Sequence, residues 1–175
     1  IREMWKQNGR ETSKLGTKLH NDIESYYNDG KVSSIAFEWA YFIDFVKDSV
    51  ALEPFRTEWM IFDEENRICG TIDKVFKKGD KYIIYDWKRK PQSKYEKKAF
   101  TTAKYPINHI PEASYWQDSL QLNLYKYILE TKYGIEIDEM NLLLLHPDNN
   151  SYVKYKVPNL RNEIKSKLKE REPLS

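Results

Sequence analysis

The sequence predicts a single α/β domain in which helices precede three antiparallel strands, and a long helix then leads to a buried strand. Short apolar runs separated by turn-forming residues indicate the three strands, between residues 55 and 88. Apolar residues at helical spacing before and after these runs indicate the helices. At 175 residues, 40% of them apolar, the chain is long enough to bury one core, and no change of composition marks a second domain. One domain over residues 1–175 is therefore expected.

Two helices are predicted in the N-terminal region, between residues 11 and 50. The apolar residues that indicate them are Leu15, Leu19 and Ile23 in the first, and Ile35, Trp39, Phe42 and Val46 in the second. The first helix is predicted from about Glu11 to Asn28, where Asp29 and Gly30 form a typical helix end. These helices are an N-terminal addition to the strands that follow.

Three strands are predicted from Phe55 to Phe62, from Arg67 to Phe76 and from Tyr82 to Lys88. The second and third are joined by Lys77-Lys78-Gly79-Asp80, a sequence typical of the turn in a β-hairpin. Together the three strands are predicted to form an antiparallel meander.

A long helix is predicted after a polar segment, from Arg89 to Pro111, that contains several prolines. The helix runs from about Glu112 to Lys132, and its apolar side is predicted to hold Trp116, Leu120, Leu124 and Ile128. A strand from Met140 to Leu145 follows, whose unbroken leucines are typical of a strand covered on both faces.

The chain is predicted to end with a short strand, from Tyr152 to Val157, and a closing helix. The apolar residues of that helix are Leu160, Ile164 and Leu168, and its lysines are predicted to face solvent.

Composition narrows the class of protein. The net charge of +2 is near neutral, so affinity for nucleic acid has to come from local basic patches. Cys69 is the single cysteine, which excludes a disulfide within the chain and a four-cysteine zinc or iron–sulfur site, and favours an intracellular location. No apolar run approaches the roughly 18 residues of a membrane span, so no contact with a membrane is expected.

The predicted hairpin brings two carboxylates and an amine together. Because side chains alternate along a strand, Asp86 and Lys88 project from one face while Trp87 points the opposite way. A turn at Lys78-Gly79 places Asp73 roughly opposite Asp86 on the neighbouring strand. Oxygen ligands suit Mg²⁺ or Mn²⁺, which can polarise a phosphodiester and lower the pKa of an attacking water. The alternative is a set of solvated side chains at the fraying end of a hairpin, which is common in a chain that is 32% charged.

Four short motifs add weight to the metal-site interpretation. They are His20 in Gly16-Thr-Lys-Leu-His20, Asp73 in Gly70-Thr-Ile-Asp73, Asp86-Trp87-Lys88, and Gln121-Leu-Asn-Leu-Tyr125. In this order, on these helices and strands, they resemble the PD-(D/E)xK nuclease superfamily over roughly residues 11 to 145, and most of all its RecB-like exonuclease branch. The resemblance implies a restriction-endonuclease-like αβββαβ core with a mixed central sheet flanked by helices.

The resemblance also implies a metal-dependent deoxyribonuclease that uses Mg²⁺ or Mn²⁺. Asp73 and Asp86 would bind the ion, with His20 and the backbone carbonyl of Trp87 completing the site. Lys88 would position or help deprotonate the attacking water and offset the charge of the transition state. Exonuclease action, on single-stranded DNA or on duplex ends, follows from the resemblance alone.

Two features of the larger relatives are missing from this sequence. RecB-like relatives with an iron–sulfur cluster hold it with four cysteines, and Cys69 alone cannot do so, so no cluster is expected. The helicase portion and a Walker A loop are also missing, so these residues cannot themselves drive unwinding by ATP hydrolysis, and a helicase or recombination partner stays an open question.

Two of the candidate ligands have a second interpretation. Glu58 on the first strand is either an additional carboxylate of the metal site or the partner of Arg56 or Arg67 across the sheet. His20 is either a ligand, since neutral imidazole binds Mn²⁺ well, or a packed histidine beside Leu19.

Gln117, Gln121 and Tyr125 lie at helical spacing on one face of the predicted long helix. They are predicted to form a polar ridge that holds the nucleic-acid backbone and the geometry of the site. The alternative is a helix flank wetted by solvent.

The segment from Arg89 to Pro111 is predicted to close over a single strand of DNA as a lid. Loops of this length are unusual in a compact domain, and this one alternates basic with aromatic residues. Its lysines would contact phosphates and its rings would stack on bases. The residues concerned are Lys94, Lys97, Lys98 and Lys104, with Tyr95 and Phe100. The alternative is a solvated linker.

Two other functions fit the same residues. An endonuclease acting on structured DNA or on RNA would keep the metal site but need a cleft open at both ends. A domain of the same fold that only binds nucleic acid is disfavoured, because both aspartates and the lysine are present.

Overall fold

The structure, a computed structural model, describes residues 2–32 and 34–170. In chain order its elements are α1 (Arg2–Asp29), α2 (Phe37–Asp48), β1 (Glu53–Asp63), β2 (Ile68–Lys78), β3 (Lys81–Lys88), a 3₁₀ turn (Gln92–Lys94), α3 (Ser114–Lys132), β4 (Ile137–Leu144), β5 (Val153–Lys156) and α4 (Arg161–Lys169). Each predicted helix and strand is present, and the predicted fold class is confirmed. α1 begins earlier than predicted, because the apolar pattern used to predict it starts only at Leu15.

A single five-stranded sheet in the order β1-β2-β3-β4-β5 forms the centre of the domain. β1, β2 and β3 are antiparallel as predicted, whereas β4 runs parallel to β3 and β5 antiparallel to β4. A parallel pair needs a long crossover connection, and the segment containing α3 supplies it. The sheet is therefore mixed.

Helices cover both faces of the sheet and create two apolar layers. The layer beneath α3 includes Ile84, Leu122, Ile128 and Leu142. The layer beneath α1 and α2 includes Ile23, Phe42, Phe45, Trp87 and Leu143. Alternate leucines of β4 enter opposite layers, which explains why its sequence is apolar without interruption. Along residues 2–32 and 34–170, no helix combines the length and the apolar composition needed to cross a membrane.

The β2–β3 hairpin is regular at its turn and opens at its other end. The turn residue Gly79 has a φ of +61°, a conformation that favours glycine. The paired ladder ends at Lys74 and Tyr85. Just beyond this pair, the backbone N–H of Trp87 donates a hydrogen bond to Oδ2 of Asp73 at 2.8 Å. The carboxylate of Asp73 thus accepts from a backbone N–H of β3 that would otherwise pair with β2, and the two strands separate here.

Residues 89–113 are folded onto the domain. Ile107 and Ile110 are buried against Leu160, and the indole Nε1 of Trp116 donates to the carbonyl of Lys97 at 2.9 Å. The linker interpretation is therefore wrong. Arg89, at the start of the segment, pairs with the buried side chain of Glu38 and does not face a phosphate.

α3 and β2 meet where the ring of Tyr125 lies over Gly70. A Cβ atom at Gly70 would lie 2.4 Å from Cε1 of Tyr125, so the close approach itself requires glycine. The hydroxyl of Tyr125 accepts a hydrogen bond from Nε2 of Gln121 at 2.9 Å. Two of the four sequence motifs are therefore in contact, and this contact sets the distance between α3 and the strand that carries Asp73.

Gly70→Ala should destabilise the domain, because the added methyl group has to displace the ring of Tyr125. Overpacking of this kind costs about 1–3 kcal/mol. Gly16→Ala is the matched control: nothing lies within 4 Å of its Cβ position, and the same change inside α1 should stabilise by up to about 1 kcal/mol. Urea unfolding measures both. A Gly70→Ala protein as stable as the parent would show that the Tyr125 ring is not held by this contact.

Candidate metal centre

The predicted ligands converge at the open end of the hairpin. His20 comes from α1, Glu58 from β1, Asp73 from β2 and Asp86 from β3. Nδ1 of His20 lies 3.6 Å from Oδ1 of Asp73 and 3.7 Å from Oε1 of Glu58. One ligand atom from each of these three residues lies within 4.8 Å of the others, close enough for a single ion to reach all three. Asp86 does not belong to this group of three, and its Oδ2 contacts Lys88.

His20 points into this acidic group rather than into the apolar layer that contains Leu19. Its Nε2 lies 3.0 Å from the carbonyl oxygen of Trp87. Burial favours the neutral ring, but the neighbouring Glu58 and Asp73 outweigh it and raise the pKa of His20. The packed-histidine interpretation is therefore less suited to this position than the ligand interpretation.

Glu58 reaches the site through an irregularity in β1. Its φ of +46° lies in the left-handed region, which residues other than glycine rarely adopt. The neighbours of Glu58 face opposite sides of the sheet. Oγ1 of Thr57 accepts a hydrogen bond from Lys74, whose ammonium lies over a tyrosine ring of α1, whereas Trp59 packs against Tyr133 beyond the end of α3. The alternation of β1 is thus broken at Glu58, and strained backbone of this kind concentrates at functional sites.

The alternative interpretation of Glu58 is not supported. Among the salt bridges of residues 2–32 and 34–170, none joins Glu58 to Arg56 or Arg67. The guanidinium of Arg56 lies over the ring of Phe55 instead, 4.8 Å from its centre.

Asp73 and Asp86 are buried groups of like charge, 8% and 5% exposed. Burial, reinforced by the charge of Asp86, raises the pKa of Asp73 to about 7. Burial likewise raises the pKa of Asp86. Two carboxylates in this environment resist being ionised together unless a cation lies between them.

Lys88 lies between two carboxylates. Its Nζ is 2.8 Å from Oδ2 of Asp86 and 3.3 Å from Oδ1 of Asp118 on α3. Burial acts to lower the pKa of Lys88, but these carboxylates outweigh it and raise the pKa. An ammonium group cannot accept a proton, so this arrangement does not support the predicted part of Lys88 in deprotonating water. The predicted roles of Lys88 that depend on its positive charge and its hydrogen bonds are not affected.

The donor set fits a divalent cation that prefers oxygen ligands. Oδ2 of Asp86 is buried, and the ammonium group of Lys88 lies 2.8 Å from it. Nε2 of His20 lies within hydrogen-bond distance of the carbonyl oxygen of Trp87, at 3.0 Å, which leaves Nδ1 facing Asp73 and Glu58 as the atom that would hold an ion.

The predicted stacking of Tyr95 on a base is wrong because its ring is buried, and burial leaves Tyr125 only its predicted part in the geometry of the site, without a contact to nucleic acid. Tyr95 is 5% exposed, and its hydroxyl donates to Oδ2 of Asp118 at 2.6 Å. Tyr125 is 6% exposed and packs in the layer beneath α3. Both rings therefore support the site from inside the protein and cannot stack on a base.

The other predicted contacts lie on the surface. Gln117 and Gln121 are exposed on α3, as are Lys94 and Lys98 in the segment before it. Phe100 is fully exposed. Lys97 is exposed too, with its Nζ 4.3 Å and 4.7 Å from the centres of two tyrosine rings, those of Tyr115 and Tyr155.

Sequence reasoning missed Asp118, which contacts both Lys88 and Tyr95. A signal was available. Asp118 lies three positions before the motif residue Gln121, a spacing that places both on one face of a helix.

Comparison with known proteins finds a matching family model and 13 matching chains of solved structures. A family model described as the PD-(D/E)XK nuclease superfamily matches residues 1–173. The solved structure titled "Crystal structure of SSO0001" is 17% identical, with a TM-score of 0.44 over 97% of this chain and 67% of that chain. None of the curated proteins compared with the chain matches it.

In EDTA, the free energy of unfolding should fall as pH rises from about 5 to about 8. Asp73, with a pKa near 3.8 when unfolded and about 7 when folded, binds more protons in the folded state between these values. Its deprotonation therefore destabilises the fold, by up to about 1.4 kcal/mol per pH unit. His20 adds to the trend, because a raised pKa gives stability that is lost as pH rises through it. Mn²⁺ should reverse the trend near pH 8, since it binds the ionised carboxylates.

Thermal unfolding in EDTA and in Mn²⁺ at pH 5, 6.5 and 8 measures both effects. Asp73→Asn should flatten the dependence in EDTA and remove the stabilisation by Mn²⁺. Asp138→Asn, which alters a carboxylate on β4 that pairs with Lys81, is the matched control and should change neither. A stability that rises with pH in EDTA would contradict the assignment of repelling buried carboxylates.

Proposed function

The chain belongs to the PD-(D/E)XK nuclease superfamily, and we propose that it hydrolyses phosphodiester bonds of DNA with Mg²⁺ or Mn²⁺. The proposed mode is exonucleolytic, on single-stranded DNA or on DNA ends. The observation that carries the proposal is the convergence of three carboxylates, an imidazole and a lysine, from four elements, at the open end of one hairpin.

His20, Glu58, Asp73 and Asp86 would hold the ion, with the carbonyl of Trp87 beside them. The ion supplies polarisation of the scissile phosphate and a lowered pKa for the attacking water. The chain's own part is to keep the ligands in place. The Trp87 N–H fixes one oxygen of Asp73, and the conformation of Glu58 turns its side chain toward the same point.

Lys88 would act as a fixed positive charge beside the ligands. Asp86 and Asp118 hold its ammonium group from two directions. From there it can donate a hydrogen bond to the attacking water or to a phosphate oxygen, and it offsets negative charge as the transition state forms.

The substrate would lie along α3 and the segment before it. Gln117 and Gln121 offer amide groups to the backbone, and Lys94, Lys97 and Lys98 offer charge. Phe100 is the one ring of the predicted lid pair that is exposed to a base. Proteins that bind single strands use this combination of a basic surface and aromatic rings.

Lys88→Ala should reduce DNA cleavage roughly 100-fold or more, because a preorganised charge at the reacting phosphate is lost. Mn²⁺ binding should stay near that of the parent, since a lysine cation is not a ligand. Lys81→Ala is the matched control, at the opposite end of β3 and paired with Asp138. End-labelled DNA in Mg²⁺, Mn²⁺ or EDTA measures cleavage, and calorimetry measures the metal.

The same assay separates the modes of action. Circular single-stranded DNA has no ends, so an exonuclease leaves it intact while digesting the linear form. Cutting of the circle would replace the proposed mode with an endonuclease. A parent protein that cuts neither form with either ion would leave a domain that only binds nucleic acid. Cleavage by Lys88→Ala at the parent rate would remove the lysine from the mechanism.

Asp118→Asn should lower kcat about tenfold with little change in Mn²⁺ affinity, because Asp118 contacts Lys88 at 3.3 Å and is not one of the proposed ligands. Tyr95→Phe removes only the hydroxyl that Asp118 accepts from, so its effect should be smaller and in the same direction. Steady-state kinetics and calorimetry measure the two quantities. A loss of metal binding equal to that of Asp73→Asn would make Asp118 a ligand instead.

A further inference from the structure

α3 has a second apolar surface that does not face the sheet. Its buried side holds Leu122, Ile128 and Leu129. Leu120 and Leu124, which the sequence predicts to face the core, are only partly buried. They line an open groove of about 650 Å³ whose opposite wall is α4.

The groove continues into the candidate metal centre. Asp118 and Gln121 line it, and each also belongs to the site. Asp118 contacts Lys88 at 3.3 Å, and Gln121 donates to the hydroxyl of Tyr125, whose ring lies over Gly70. The inner end of the groove is therefore the outer wall of the centre.

We propose that this groove holds one unpaired nucleobase of the strand being cleaved. The base belongs to a nucleotide at most one position from the scissile phosphate. The proposal rests on the proposed nuclease function and specifies its substrate. The volume lies within the range of sites for small organic groups, about 300–1,000 Å³.

The lining suits a base better than it suits a phosphate or a sugar. Leu124 on α3 and Leu168 on α4 are aliphatic walls for the two faces of a planar ring. Gln117, Asp118 and Gln121 offer amide and carboxylate groups to the edge of the ring, the combination by which proteins hold an unstacked base.

The groove has one basic residue, Lys167, that can contact the strand carrying the base, beside two acidic lining residues, Asp118 and Glu170. Lys167, exposed on α4, lies at the rim and can meet the phosphate of the next nucleotide. Bases inside a duplex are paired and stacked, so they cannot enter without being extruded. The groove therefore selects for single strands and frayed ends.

An abasic scan tests the proposal with the unmodified protein. Single-stranded oligonucleotides of one sequence, each with a single abasic residue at a different position, are bound in EDTA so that no cleavage occurs. One position should weaken binding about tenfold, because that base no longer fills the groove. Leu124→Trp fills the groove from the protein side and should abolish this difference, leaving the normal and abasic strands with equal affinity.

Thr131→Trp is the matched control, an added indole on an exposed position of the same helix, and it should keep the difference. If no abasic position weakens binding more than twofold, or if Leu124→Trp keeps the parent's difference, the proposal is overturned. In the second case the base is held elsewhere on the protein. Since the scan needs no turnover, a protein that shows the base effect but cuts no DNA would refute the nuclease function and keep the groove.

Discussion

Carboxylates that repel one another are buried at the open end of the β2–β3 hairpin. The rest of the domain has to offset the energetic cost of this cluster. Asp73 and Asp86 lie in surroundings that raise the pKa of both, and Glu58 adds a third acidic group within reach. Domains are stable by only about 5–15 kcal/mol, so such a cluster has to be offset elsewhere. The two apolar layers, with aromatic rings packed edge to face beneath α1 and α2, supply that stability.

The backbone departs from regular strand geometry where the site forms. The β2–β3 ladder stops after Lys74 and Tyr85, and the Asp73 carboxylate takes the next N–H of β3. On the other side of β2, Glu58 occupies the left-handed region. Regular pairing of β2 with β3 places Asp73 and Asp86 on one face, and the break in β1 turns Glu58 toward the same place.

The sequence is informative where local rules decide the outcome. Alternation along β3 and the turn at Gly79 are enough to place Asp86, Lys88 and Asp73 together. Alternation could not place Glu58, because its side chain arrives through a break in that alternation. Nor could periodicity show that Tyr95 and Tyr125 are buried, since the burial depends on how closely the segment before α3, and α3 itself, approach the sheet. Helical spacing could place Asp118 on the face of Gln121, but it could not show the contact with Lys88, which joins elements distant in sequence.

The predictions for α3 are partly right and partly wrong because different faces of this helix contact the core, the site and the groove. Leu122 and Ile128 face the sheet, Asp118 and Gln121 face the centre, and Leu124 faces the groove. Apolar residues therefore occur on more than one side of the helix, and a single apolar stripe read from the sequence mixes core with surface. Leu120 and Leu124 pack against the edge of the core and also line the groove beside Asp118, and that position connects them to the proposed substrate.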